Sequence, residues 1–399
     1  MAKRILITCT DSMMKQFLEP HVLHLAENGY EVEIACSEVL NRMEEVRKDL
    51  GQYVRIHQLS LQRSPLSKKN PKGYKELKEL LKENRFDLIW TNEPVMGVMT
   101  RLAAKKARKQ GTKVLYMVHG FHFYKGAPLL NWLLFYPIER IMASKADCIC
   151  TINREDYARA QKMNTPKAAY IHGVGIDTER LQPGKNPVKI RKELNISEDS
   201  FLILSIGELN ENKNQQIIIR AIARLNDRMI HYILCGKGDQ REKLECLAKE
   251  LNMSDQVHFL GYRRDIADIC RQCDLFALPS KREGLPLSAL EAMYCGLPLI
   301  NSGIRGLVDI TKDGISGFIC GTDDERCYAE SIQRLKNDPE LRKQMGENNR
   351  KTAEAFTTGK TKQEILYLIQ ELLQENHERS MASSSKSKTN IRKAATRTF

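Results

Sequence analysis

Residues 281–292 read KREGLPLSALEA, in which Glu283 and Glu291 are separated by a glycine, a proline and a run of small apolar side chains. Two carboxylates that converge on one pocket can divide proton-transfer work as an acid/base pair. Gly284 lets the backbone approach a ligand closely, and Pro286 suits the first turn of a helix. The pattern predicts that helix over 287–295, with Gly296 as its C-terminal cap. Its first amides make a ready site for phosphate. Helical side chains lean toward the N-terminus, so Glu291, one turn in, points back over Leu287 and Ser288, where Glu283 on the loop can meet it.

Such residues have to be presented by strands. FLILSI is followed by Gly207-Glu208-Leu209-Asn210-Glu211-Asn212-Lys213-Asn214 and a helical stretch, and HYILC by Gly236-Lys237-Gly238. With VHFLG, DLFALPS and GLPLINS these segments alternate apolar runs with helical periods. KRILIT, YEVEIAC, FDLIWT, KVLYMVH, DCICTI and AAYIHG do the same in the first half. Alternation of this kind predicts an α/β fold of two doubly wound, Rossmann-like parallel sheets. Ligands of such sheets bind at the carboxyl ends of the strands, here in a cleft between two domains. The segment LQPGKNPVK, with Pro183, Gly184 and Pro187, reads as the linker. Residues 1–182 are then one domain and 188–357 a second. A helix over 358–378 follows, placing Ile365, Leu368, Ile369, Leu372 and Leu373 on one face, and the polar, basic stretch 379–399 is expected to be disordered.

At 399 residues the chain exceeds the size at which one core keeps growing, which also favours two domains. The apolar start ends at Ile7, short of a signal peptide, and the apolar stretch 128–137 falls well below the roughly 20 residues of a membrane span. The expectation is a cytoplasmic protein whose membrane contact, at the inner face of the cell membrane, is peripheral. Eleven cysteines scattered through apolar segments read as buried thiols, and Cys270-x-x-Cys273 lacks a second ligand pair for zinc.

The net charge of +13 is uneven: residues 1–185 hold 30 Lys/Arg against 20 Asp/Glu, whereas 186–379 hold 28 against 30. In the helical stretch 97–110, Arg101, Lys105 and Arg108 fall on one face, which fits an anionic membrane surface better than nucleic acid, for which no recognition motif is present.

Taken together, Glu283-Gly284-Leu285-Pro286 through Glu291-Ala292-Met293, then Gly296-Leu297-Pro298 and Asp313-Gly314-Ile315-Ser316-Gly317-Phe318, resemble the E-x7-E block of retaining family-four glycosyltransferases. VHGFHFYKGAP (118–128), TINREDY (151–157) and HGVGID (172–177), placed in the first domain, are similar to the branch that builds capsular polysaccharide and exopolysaccharide. The resemblance covers the chain except its tail and implies a GT-B fold, with the acceptor on the first domain and a nucleotide-sugar on the second. It implies that Glu291 bonds the ribose hydroxyls and Glu283 a hydroxyl of the transferred sugar. The backbone of Gly207, Gly284, Leu285 and Leu287, with Lys213, would lie along the diphosphate. Arg263 would lie near the base, and His119 near the reacting sugar.

The implied enzyme is a retaining hexosyl or N-acetylhexosaminyl transferase that moves a sugar from a UDP-sugar to a lipid-linked saccharide. It would work without a metal or other cofactor: no two Asp residues lie two apart to form the Asp-x-Asp motif that holds Mg²⁺. The alternatives are a nucleotide-sugar epimerase of the same architecture and a noncatalytic protein that binds sugar or nucleic acid. One position departs from the family. Glu208 stands where members commonly carry Arg, beside the expected diphosphate, leaving Lys281, Arg282 or Arg305 as substitute cations.

Overall fold

The structure is a computed structural model that describes residues 2–184 and 188–374; the expected tail and the last residues of the terminal helix lie outside the described residues. By contact the chain forms two units. One comprises residues 2–152, 156–171 and 362–374, the other 153–155, 172–184 and 188–361.

The first unit is built on seven parallel strands: β1 (Arg4–Thr10), β2 (Glu31–Ser37), β3 (Arg55–Leu59), β4 (Leu88–Asn92), β5 (Lys113–Val118), β6 (Cys148–Thr151) and β7 (Ala168–Tyr170), in the order β3-β2-β1-β4-β5-β6-β7. Strand β3 was not among the sequence expectations. RIHQL has a single buried residue at its end and mixed polarity, so no apolar run marks it. The central strands are buried throughout, as both faces of the sheet carry helices. Ile365, Leu368, Ile369, Leu372 and Leu373 of the terminal helix are buried as their spacing predicted. They return the chain to this unit, where Glu371 pairs with Lys167.

The second unit has six parallel strands, β8 (Phe201–Ile206), β9 (Ile230–Cys235), β10 (Val257–Gly261), β11 (Leu275–Leu278), β12 (Leu299–Ser302) and β13 (Gly317–Cys320), ordered β10-β9-β8-β11-β12-β13. In both sheets the strand order reverses beside the first strand, at β1/β4 and at β8/β11. That reversal is where an open α/β sheet leaves a crevice at its carboxyl edge.

Three expectations change. HGVGID (172–177) belongs to the second unit: Ile176 bridges Thr357, and a Cβ on Gly175 would stand 2.5 Å from the Thr358 Cα. The basic face of 97–110 does not form. The chain breaks into helices Pro94–Ala103 and Lys105–Lys109, and Arg101 is fully buried on Glu139 at 2.9 Å, its guanidinium 4.0 Å over the Tyr116 ring. Arg108 is likewise engaged, by both oxygens of Asp147. Finally, not all cysteines are single thiols. Cys320, at the end of β13, is disulfide-bonded to Cys327 in helix Glu325–Asn337.

Candidate active site

The KREGLPLSALEA segment folds as its sequence predicts. Pro286 precedes helix Leu287–Tyr294, which buries Ala289, Leu290, Ala292 and Met293 in the second unit's core. Its end is a Schellman motif: Leu297 N–H donates to Ala292 O and Gly296 N–H to Met293 O, with Gly296 at φ +89°. Among the described residues no side chain caps the start of the helix, so its first amides and the positive end of its dipole remain available to an anion.

The loop after β8 is held against this segment by backbone. Lys281 N–H donates to Asn212 O at 2.8 Å, and the Asn212 side chain donates to Arg282 O at 2.9 Å. Gly207 carries the Lys213 stem: a Cβ there would stand 3.2 Å from the lysine Cε. Lys213 Nζ donates to Glu283 Oε1 at 2.6 Å, both side chains largely buried. A cation and a carboxylate from loops 70 residues apart are thus joined across the β8/β11 reversal, beside the uncapped helix start.

Gly236 and Gly238, weak signals in the sequence, have a packing reason. A Cβ on Gly236 would meet Gly207 O at 1.8 Å, so only glycine lets the two post-strand loops touch.

Gly284 packs its carbonyl against Gly306, where a Cβ would come within 2.2 Å of it. Arg305, buried, donates from Nε to Glu283 O at 3.1 Å and so fixes the loop from below. Leu285 reaches the backbone of Gly173, and Leu285 and Leu287 both pack on the core. Glu208 is exposed and forms no ion pair among the described residues, whereas Lys213 points inward. The acid expected to lie beside the diphosphate therefore faces solvent.

Glu291 is partly buried, and burial pushes its carboxyl above the ordinary range. Arg180 offsets that rise and Asp177 adds to it. Both come from the segment 172–180, whose partnership with Glu291 no local pattern announces. Arg263, after β10, is held by Asp265 (2.6 and 2.9 Å) and by Glu193 (2.7 and 3.2 Å), and these bonds raise its pKa further. A planar fork so fully engaged orders the loop it stands on.

In the first unit His119 follows β5. Asn92 donates from Nδ2 to Thr8 O (3.5 Å), which turns its Oδ1 to the His119 Nε2 at 3.0 Å. Burial pushes this imidazole down to about 4, so it is neutral at physiological pH, with Nε2 carrying the proton. His122 packs on Phe135, the ring centroids 4.7 Å apart and the planes tilted by 31°.

Sequence reasoning missed the group at the β1/β4 reversal. Glu93 accepts from Thr10 N–H (2.7 Å), the Thr10 hydroxyl (3.0 Å) and Arg63 Nε (2.9 Å). Its backbone stands at φ 66°, ψ 150°, a region essentially reserved for glycine. An acid between a strand end and a proline, TNEP, was the available signal. Next to it lies a cavity of about 380 Å³ whose walls, among them Met96, Met99, Phe121, Phe123 and Phe135, are mainly apolar.

Residues 188–352 match the family described as glycosyl transferases group 1, and residues 21–180 match glycosyltransferase family 4. EpsD of Bacillus subtilis, described as a glycosyltransferase, is 36% identical over 373 residues, 92% of this chain and 96% of that protein. The chain belongs to the family 4 glycosyltransferases. The glycosyltransferase is also 27% identical, over 68% of its length and 72% of the other's, to the UDP-Gal:alpha-D-GlcNAc-diphosphoundecaprenol alpha-1,3-galactosyltransferase of Escherichia coli. Among solved structures, Anabaena HepE in complex with UDP and glucose aligns with a TM-score of 0.75 at 18% identity, covering 92% of this chain and all of that one. The fold of this glycosyltransferase is accordingly GT-B.

Proposed function

We propose that this glycosyltransferase moves a hexosyl or N-acetylhexosaminyl group from a UDP-sugar to a lipid-linked saccharide in surface polysaccharide synthesis, with retention and without a metal. The observation that carries the reading is the Lys213–Glu283 pair at 2.6 Å beside the uncapped helix Leu287–Tyr294. Each member has a use that replaces the other: the ammonium turns to the donor diphosphate and the carboxylate to a hydroxyl of the sugar. Charge grows on the diphosphate as the C1–O bond breaks, and Lys213 with the helix amides is aimed at that charge. The acceptor oxygen bonds C1 on the same face, and its proton passes to the departing phosphate oxygen, so no protein nucleophile takes part. Glu291 holds the ribose, and Arg263 serves the base by ordering its loop. His119, neutral, offers hydrogen bonds at the reacting sugar.

On the acceptor side, the cavity beside Glu93 suits the apolar part of a lipid-linked substrate. Relatives support this choice: the E. coli enzyme acts on a diphosphoundecaprenol-linked sugar, and HepE binds UDP and glucose.

A thermal-shift panel tests the donor. UDP and its sugars should raise the melting temperature, because a ligand that binds only the native state stabilises it. In Glu283→Ala the lysine is released, so the UDP shift is kept or enlarged while the extra shift from the sugar disappears. A shift with a different nucleotide and none with UDP would sink the donor assignment; an inverted anomer in the product would sink retention.

A further inference from the structure

Helix Leu129–Ala143 presents an unusual outer surface. Leu129, Leu130, Leu133, Leu134, Ile138 and Ile141 are 47–73% exposed, and with Pro137 they fill the outward half of the helix, where Arg140 is the only charge. A helix apolar on all sides is ordinarily buried on all sides. This one cannot turn to hide its leucines. On the inner side Glu139 holds Arg101 (2.9 Å) and accepts from the Tyr116 hydroxyl (3.1 Å), and rotation would strand a buried charge. Trp132 and Tyr136 also pack on Phe123.

The exposed charges on this helix and on helix Lys105–Lys109 have one sign. Between Pro94 and Lys145 the only acid is Glu139, which is buried, while Lys105, Lys106, Lys109 and Arg140 are exposed. Helix Lys105–Lys109 is tied to the end of the leucine helix, since Arg108 donates to Ser144 O at 3.2 Å. A second copy placed on this face would bring these cations together with no acids to meet them. An anionic bilayer meets both features, because it takes the leucines below its head groups and neutralises the rim. At about 1.5 Å per residue the helix is about 22 Å long, too short to cross the roughly 30 Å of hydrocarbon, so it lies flat. No helix among the described residues is long and apolar enough to span.

We propose that helix Leu129–Ala143 is a membrane-docking face that seats the first unit in the head-group layer of an anionic bilayer, its leucines inserted and its basic rim on the phosphates. This assignment replaces the 97–110 face of the sequence reading, whose Arg101 and Arg108 are occupied. It stands on the geometry of the face and not on the donor reading, and its test needs no glycosyl transfer.

The full chain is sedimented with vesicles of phosphatidylglycerol and phosphatidylethanolamine, and with phosphatidylcholine vesicles, at low and high salt. Wild type should pellet with the anionic vesicles, more weakly at high salt and on the neutral lipid. The double variant Leu130→Glu, Leu134→Glu should bind at least ~10-fold less. Its melting curve should match wild type, since both positions are exposed. Arg140→Glu provides a second variant, with a smaller loss confined to anionic vesicles. The proposal is overturned if wild type stays in the supernatant at low salt, or if the folded double variant pellets as wild type does. It is also overturned if the leucines instead hold a dimer that the double variant splits, with no vesicle binding by either protein.

Discussion

The two reversals of strand order make an instructive pair. At each, a glutamate after the fourth strand of its sheet meets a cation from another post-strand loop: Glu93 with Arg63, and Glu283 with Lys213. At β1/β4 both carboxylate oxygens are engaged. They bind a backbone amide, a hydroxyl and a guanidinium from a strained backbone, and the open space beside them is apolar. At β8/β11 the carboxylate has, among the described residues, one side-chain partner, Lys213, and the open feature beside it is an uncapped helix start. The same topology therefore serves two chemistries. One acid braces the wall of a cavity, and in the proposed function the other exchanges its partner for ligand.

The largest effect should come from Lys213→Ala, which in the proposed mechanism removes a cation from the developing diphosphate charge. Transfer should fall by about 100-fold at saturating donor. A loss confined to the donor KM would make Lys213 a ground-state contact and weaken the contrast.

The next effect concerns stability. Glu93→Ala leaves the nearly buried Thr10 amide without its acceptor and keeps the strained backbone, which should cost about 2 kcal/mol in denaturant unfolding. Glu93→Gly loses the same bonds but relieves the φ/ψ strain, and should recover about 1 kcal/mol of that after its own chain-entropy cost. Donor-induced thermal shifts should be unchanged in both variants. If the two were equally destabilised, Glu93 would not be a shaping residue under strain.

The smallest effect is a pH dependence at Glu291. Its folded pKa is raised by burial, so the fold favours the protonated acid: that stability is full below the unfolded value and is lost as pH rises through the folded one. In the proposed function ribose hydroxyls donate to the ionised form, so nucleotide affinity should weaken as pH falls from neutrality toward the raised value. Glu291→Gln should lower UDP affinity by about 10-fold at neutral pH and flatten that slope while the apo protein melts higher. An unchanged slope in the titration would remove Glu291 from the nucleotide site.

Much of the second reversal was legible in the sequence, and little of the first. Glu283, Gly284, Pro286, Glu291 and Gly296 sit within fourteen residues whose local rules (loop glycine, proline before a helix, C-terminal glycine) fix where each side chain points. Thr10 ends β1, Glu93 follows β4 and Arg63 follows β3, and only the β3-β2-β1-β4 order of the sheet brings the three together.

By itself the sequence determined the strands of both sheets, since unbroken apolar runs encode burial locally; the exceptions, β3 and β13, are short and weakly patterned. It also placed Lys213 after β8 and predicted the helix behind Glu283. Partnership was decided only by the tertiary structure. Whether Arg101 is a surface cation or a buried one depends on Glu139, 38 residues away, and whether Lys213 reaches Glu283 depends on β8 lying beside β11. The leucines of 129–141 carry the same apolar signal as a core helix, and only the packing of Glu139 and Trp132 inward left them facing out. Hydrophobic pattern states that a side chain seeks cover; the assembled fold decides whether the protein itself provides it.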